Sequence, residues 1–185
     1  MRKLIHSMGV SLDGFISGPD GDIEWSAPDE ELHRFHNEQM RKIGVHLCGR
    51  GLYEVMVYWE TAHEDPAAPP VVREFARIWE ELPKIVFSKT LETVEGHARL
   101  VRELVADEIL ELKAQPGHDL AVGGAGLAST LTRLGLVDGS GSSSARSMLG
   151  GGTPYFPDLD ERIDLELVQT WTFGSRVVYL RYRRV

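Results

Sequence analysis

The 185-residue chain predicts an α/β fold: a mainly parallel central sheet with helices on both faces and a C-terminal antiparallel hairpin. Three observations predict it. Short strand-like runs alternate with helix-length segments, the pattern of parallel strands joined by crossover helices. Leu120-Ala-Val-Gly-Gly-Ala-Gly-Leu127 is an apolar run that breaks into glycines and enters the helix-like Ala128-Ser-Thr-Leu-Thr-Arg-Leu134. The tail has two strand-like runs, Leu165 to Phe173 and Arg176 to Tyr182, about a two-residue Gly174-Ser175 turn.

The elements follow in order. Lys3-Leu-Ile-His-Ser-Met-Gly-Val10 suits a central strand, and Ser11 to Asp22, dense in Gly, Asp and Pro, reads as a loop. Pro28-Asp-Glu-Glu31 opens a helix with acidic residues in its first turn, where the helix dipole favours them. Leu32, Phe35, Met40 and Ile43 give that helix an apolar face. Val45-His-Leu-Cys48 is a short strand that runs into Gly49-Arg50-Gly51 and the helical stretch Leu52 to Met56. After a Pro- and Ala-rich loop from His63 to Pro70, Val71 to Leu82 is a helix stopped by Pro83. Lys84-Ile-Val-Phe87 is a strand, Arg99 to Leu112 reads as a helix, and Leu120-Ala-Val122 is the strand before the glycines.

Residues 1–185 are expected to form one domain. The chain is 42% hydrophobic and 26% charged, proportions of a water-soluble globular protein. No apolar run approaches the roughly 20 residues of a membrane span, and Met1-Arg-Lys-Leu-Ile-His-Ser7 is too short in apolar residues for a signal peptide. One cysteine, Cys48, rules out an internal disulfide framework and fits a reducing cytoplasm. The formal net charge of −8 disfavours a nucleic-acid or anionic-membrane surface, so any phosphate must be bound locally.

Ligands of such sheets sit beyond the carboxyl ends of the strands, and three suggestive segments follow strands here. Gly49, Arg50, Gly51 and Leu52 offer close backbone approach and a forked cation. Ser88, Lys89 and Thr90 offer hydroxyls and a second cation; Gly123, Gly124, Ala125, Gly126 and Leu127 offer backbone N–H groups at a helix start. Each has a plain structural alternative: a surface ion pair, a solvated turn and a tight connection. Together they fit a dinucleotide bearing an extra phosphate.

In this order the residues resemble the dihydrofolate reductase fold, and more closely the reductase domain of the bifunctional riboflavin-biosynthesis deaminase-reductases and their stand-alone relatives. Ser11-Leu-Asp-Gly-Phe-Ile16, Gly49-Arg50 with Tyr53-Glu54, Leu82-Pro-Lys-Ile-Val-Phe-Ser88, Val122-Gly-Gly-Ala-Gly-Leu127 and Leu149-Gly-Gly-Gly-Thr-Pro-Tyr-Phe156 carry the likeness across nearly the whole chain. The resemblance implies NADPH, a small heterocyclic substrate reduced as in the pyrimidine reductase step of riboflavin synthesis, and a homodimer. It also implies that Gly49-Arg50 and the helix start hold phosphate, the Ser88 segment meets the 2′-phosphate side, and the glycine loop embraces the pyrophosphate. Leu52 departs from the family, where Thr is common. A dihydrofolate reductase-type enzyme and a non-catalytic nucleotide-binding or dimerisation module are the competing readings.

Hydride transfer to C=N or C=O needs a proton source, a carboxyl group or a bound water. Glu31 falls near the place of the active-site carboxylate of dihydrofolate reductases, with an exposed helix-start carboxylate as its alternative. Asp13 is the other choice, with an Asx-type turn as its alternative. His6 on the first strand reads as a core histidine, and Trp25, Tyr58 and Trp59 could flank the cleft or cover the core. His33 and His36 are an i, i+3 pair read as solvated, and no metal is expected.

Where relatives have a strand, Gly139-Ser-Gly-Ser-Ser-Ser-Ala-Arg-Ser147 has no apolar side chain larger than alanine and resembles a linker. The genetic code supplies another reading. Serine codons of the form TCN, shifted by one base, become NTC and encode only Phe, Leu, Ile or Val. Two compensating frame changes, in the gene or in its sequencing, convert Asp138 to Met148 into Asp-Glu-Phe-Arg-Leu-Val-Val-Gly-Thr-Val-Met for one choice of codons. That is a good buried strand. On this reading the backbone here should be extended and paired in the sheet.

Overall fold

The computed structural model describes residues 1–185 apart from 145, 157 and 160. Its strands are β1 (Leu4–Val10), β2 (Phe15–Ser17), β3 (Ile43–Gly49), β4 (Lys84–Phe87), β5 (Ala98–Val101), β6 (Asp119–Gly123), β7 (Gly139–Ser144), β8 (Thr153–Pro154), β9 (Leu165–Thr172) and β10 (Val178–Arg184). Eight of them form one sheet in the order β5-β4-β3-β6-β1-β7-β10-β9, while β2 and β8 pair separately. Every pairing from β5 to β7 is parallel, and β10 pairs antiparallel with both β7 and β9. The expected architecture is therefore present: an α/β sheet of the dihydrofolate reductase type, closed by an antiparallel hairpin.

The α-helices are α1 (Glu30–Met40), α2 (Arg50–Met56), α3 (Pro70–Glu81), α4 (Ala106–Ala114) and α5 (Ala125–Arg133). Side chains alternate across a strand, so neighbouring residues of β3 and β4 enter different cores. Leu47 and Ile85 join Ile109 of α4 and Ala128 and Leu131 of α5. Cys48 and Val86 join Tyr53 of α2 and Phe75 and Trp79 of α3. Helices thus cover both faces of the sheet.

Local chemistry fixes the element ends. Asp29 caps α1 by accepting from the Leu32 N–H at 2.9 Å, and Pro70 opens α3, where a missing N–H costs nothing. Arg99–Leu112 is not one helix. Ala98–Val101 forms edge strand β5, and α4 begins only at Ala106. The Ser11–Asp22 loop contains β2, whose pairing with β8 brings the later glycine-rich loop beside it. The hairpin loop has three residues rather than two, because Phe173 N–H donates to Val177 and Arg176 takes a φ of 66°, the left-handed geometry of a three-residue hairpin loop.

Two ion pairs, each on a buried lysine, pin the sheet. Lys84 Nζ lies 2.9 Å from Glu60 Oε1 and donates to the Trp79 carbonyl at 2.6 Å. Gly96 permits this: its φ is +67°, and a Cβ there would stand 2.0 Å from Glu60 Oε2. Lys113 Nζ meets Asp138 Oδ2 at 2.8 Å, and that carboxylate also accepts from the Leu4 N–H.

Gly139–Ser144 is a strand inside the sheet, not a linker; Ala145 of the same run lies outside the described residues. Ile5 to Val10 pair with one edge of β7 and Val178 to Arg183 with the other, so its backbone groups are met on both sides. Its side chains do little packing. Ser140 opens onto a cavity of about 180 Å3 lined by Thr132, Val137, Phe156, Leu159 and Ile163 among others. On the opposite face β10 and β1 lie close: a Cβ at Gly139 would be 2.5 Å from the Tyr182 carbonyl oxygen, and one at Gly141 would be 2.9 Å from Ser7 Oγ. The frame-shifted sequence therefore places an aromatic ring at the cavity and requires β10 to move outward. Intact-mass measurement of the protein expressed from its own gene is expected to exceed the mass of the present sequence. A matching mass would leave the serine strand genuine; Ser140→Phe should then still raise the denaturation midpoint, by about 1–2 kcal/mol of unfolding free energy, because a buried ring outweighs one lost hydroxyl contact.

Candidate functional site

A cleft of about 950 Å3 runs along the carboxyl ends of β5, β4, β3, β6 and β1. At its centre the turn after β3 meets the turn after β6. Gly124 has a φ of +91°, a backbone conformation that favours glycine, and the Gly49 nitrogen lies 3.5 Å from where its Cβ would stand, in ordinary van der Waals contact. Gly123 is buried beneath Leu52, whose Cδ2 would lie 2.3 Å from an added Cβ. Gly51 and Gly126 differ. Each lines the cleft, and a Cβ at either meets nothing within 4 Å.

These turns start α2 and α5. Gly124, the N-cap of α5, has no side chain to bond the first-turn N–H groups, and Ala125, Gly126 and Leu127 of that turn line the cleft. A helix start left open in this way attracts an anion.

The cations stand at the β5–β4–β3 side. Arg50 donates to Thr90 Oγ1 at 2.9 Å and lies 3.2 Å from Glu54 as a half-exposed pair. Ser88 Oγ accepts from the Thr90 and Leu91 N–H groups, which fixes the turn carrying exposed Lys89. Arg102 donates to the carbonyls of Ser88 and Leu91 and adds a third cation. Of the twelve residues expected to hold a cofactor, Gly49, Arg50, Gly51, Leu52, Ser88, Lys89, Gly124, Ala125, Gly126 and Leu127 line this cleft. Thr90 and Gly123 stand behind it, in the roles just described.

The two acid positions are elsewhere. Asp13 accepts from Ser11 Oγ at 2.6 Å and from the Leu149 and Gly150 N–H groups at 3.0 and 2.7 Å. The Ser11 hydroxyl, then the Leu149 amide, hold its carboxyl down at about 2, so it stays ionised and clamps the β2 loop to the glycine-rich loop. Glu31 accepts from the Gly174 N–H at 2.8 Å and lines a separate groove with Phe35, Trp171 and Phe173. Neither carboxylate lines the cleft.

His6 is buried and stacked on Tyr155, and burial, then neighbouring His46, pushes it down to about 4. Burial pushes the Cys48 thiol up to about 12, and the sulfur lies 3.2 Å from His46 Nδ1. Trp59 packs against Phe75 with ring centres 4.6 Å apart, Tyr58 is exposed, and Trp25 Nε1 donates to the Asp22 carbonyl. None of these aromatics lines the cleft.

Sequence reasoning missed the wall at the β1 end: Met8, Ile16, Ser17, Ile23 and Thr153. The Leu149–Phe156 motif pointed to Thr153 without saying what it faces. Arg102 was missed with β5.

Residues 2–179 match the RibD C-terminal domain. The chain belongs to that family. It is 33% identical over 182 residues to the uncharacterized protein YyaP of Bacillus subtilis (strain 168), covering 98% of this chain and 94% of YyaP. To YwjB of the same organism it is 25% identical over 186 residues, covering 99% and 98%. Among solved structures it resembles the diaminohydroxyphosphoribosylaminopyrimidine deaminase/5-amino-6-(5-phosphoribosylamino)uracil reductase of Thermotoga maritima (TM-score 0.67, 18% identity), covering 100% of this chain and 57% of that one. It also resembles dihydrofolate reductase from Enterococcus faecalis, solved with NADP(H) (TM-score 0.61, 17% identity, 98% and 96% covered). At these identities the structural likeness is one of fold.

In this RibD C-terminal domain, Asp13→Ala should release both loops: hydrogen exchange at the Leu149 and Gly150 amides is expected to accelerate at neutral pH. Because the folded carboxyl sits below its ordinary 3.8, the clamp's contribution is present above that value and is lost as pH falls through about 2. Unaltered protection of the two amides would show that Asp13 does not hold them.

Proposed function

We propose that the chain is an NADPH-dependent reductase of a small heterocyclic substrate, similar to the pyrimidine reductase step of riboflavin biosynthesis. One observation carries this reading: a cleft that keeps Gly51 and Gly126 open, presents the uncapped start of α5, and gathers three cations at one end. Its structural neighbours, a uracil-type reductase and a dihydrofolate reductase holding NADP(H), support the same chemistry.

The residues present fit the cofactor. The first-turn N–H groups at Ala125, Gly126 and Leu127 would receive the pyrophosphate, and Gly51 and Gly126 would leave room for it. Arg50, Ser88 and Lys89 would meet the 2′-phosphate, with Thr90 holding Arg50 in place. When bound, the reduced nicotinamide supplies a hydride. Met8, Leu52 and Val55 would keep the reacting end dry. Among the described lining residues the only acid is Glu103, which sits with Lys89 and Arg102, so water is the proton source favoured over a side chain. The dihydrofolate reductase reading gains no support, since Glu31 lies in another groove.

NADPH titration by nicotinamide fluorescence tests this. Arg50→Ala should weaken NADPH about 10- to 100-fold and NADH far less, as for one charge-assisted contact. Gly126→Leu should abolish binding yet leave the fold as stable or up to about 1 kcal/mol more so, because glycine is a poor helix residue and the new side chain meets only the cleft. Absence of NADPH binding to the unaltered protein would defeat the reading, and intact binding in Gly126→Leu would remove the α5 start from the site.

A homodimer and a cytoplasmic setting belong to the same reading. Edge strand β9 is exposed along all eight residues, with Leu165, Leu167, Val168 and Trp171 uncovered, a surface that natural sheets cover or blunt. A second copy paired across a two-fold axis would cover it. The reduced, buried Cys48 suits the cytoplasm. Light scattering should give twice the chain mass, and Trp171→Lys should shift it toward the monomer; a monomeric unaltered protein would sink the dimer.

A further inference from the structure

We infer that the substrate carries no phosphate or carboxylate and is an uncharged heterocycle anchored by the hydroxyl pair of Ser17 and Thr153. The inference rests on the reductase reading above and narrows its substrate class.

The cleft carries its cations on one side only. Sheet order sets its length: four strand spacings separate β5 from β1, about 19 Å. Lys89 and Arg102 follow β4 and β5, and Arg50 follows β3. On the far side of the glycine turns the wall is Met8 of β1, Ile16 and Ser17 of β2, Ile23, and Thr153 of β8. No Lys, Arg or His is among the described lining residues there. An anion placed against this wall would give up hydration with no cation to receive it, a cost that selects against phosphorylated substrates.

That wall does offer one oriented polar group. Ser17 Oγ and Thr153 Oγ1 are 2.9 Å apart, each half-buried, and they face one another across the β2–β8 pairing. With Ser17 donating to Thr153, the Thr153 hydroxyl hydrogen is left to donate to a ring nitrogen or carbonyl, and the Ser17 oxygen can accept from a ring N–H. Asp13 holds the two loops together at the Leu149 end, which fixes the pair. The reduction balances without a protein acid: the substrate carbon gains a C–H bond from the nicotinamide hydride, and its nitrogen or oxygen gains a proton from water.

Matched probes test the inference. The full chain, first shown to bind NADPH, is given 5-amino-6-(5-phosphoribosylamino)uracil and the same compound lacking its phosphate, then dihydrofolate and 6-methyl-7,8-dihydropterin, which lacks the glutamate. Affinity for each is read by quenching of bound-nicotinamide fluorescence, and turnover by loss of NADPH absorbance. The uncharged member of a pair should bind at least tenfold more tightly. Ser17→Ala and Thr153→Val should each weaken that member about tenfold while leaving NADPH affinity unchanged and the protein folded, and Thr153→Ser should restore it. Preference for the charged member, no binding of either uncharged probe, or hydroxyl variants without effect would overturn the proposal while the reductase reading stood on NADPH binding. Failure to bind NADPH would remove both.

Discussion

The close approach of two glycine turns governs the rest of the site. β3 and β6 are neighbours in a parallel sheet, so their carboxyl ends emerge side by side and the next elements compete for the same space. That competition is resolved by removing side chains. The positive φ of Gly124 excludes most residues, and its turn packs within van der Waals reach of Gly49. With both turns lowered, α2 and α5 begin next to each other, their open ends on one cleft. Leu52 then closes over Gly123 and gives the cleft an apolar floor between its cationic and hydroxyl-bearing ends.

Holding this edge in place falls to contacts well away from it. Lys84 and Glu60 are both nearly inaccessible, and removal of either partner would strand a buried charge at a cost of about 3–5 kcal/mol. Lys113 and Asp138 tie α4 to the segment entering β7, and the Asp138 carboxylate also receives the first amide of β1. Tyr155 places its hydroxyl between the carbonyls of His6 and Gly141, bridging β1 and β7. These fixings matter because β7 supplies backbone pairing and almost no apolar contact.

Much of this was legible beforehand, for physical reasons that can be named. Strand-to-helix junctions marked by glycine stand out locally, so the turns at Gly49 and Gly124 and the residues around them could be read from the chain. β5 could not. Ala98–Val101 is four residues long, at the sheet edge, and followed closely by helix-forming Glu and Leu, so the helical period masked it. The pairing of Ser17 with Thr153 spans 136 positions and depends on two very short strands. Asp13 and Glu31 show the converse: each is the right residue type near the expected place, but backbone amides from distant loops had already claimed the carboxylate.

Cys48 lies on β3, one residue before the turn that floors the cleft, fully buried and with its thiol pushed up to about 12. Alkylating reagents require both access and thiolate, and the folded chain denies both at neutral pH. Labelling must wait for the sheet to open, which makes this sulfur an internal clock for such excursions. Any compound that seats between α2 and α5 would slow that clock in proportion to its occupancy. Ligand discovery for this chain could therefore proceed from a single native thiol, with no knowledge of turnover.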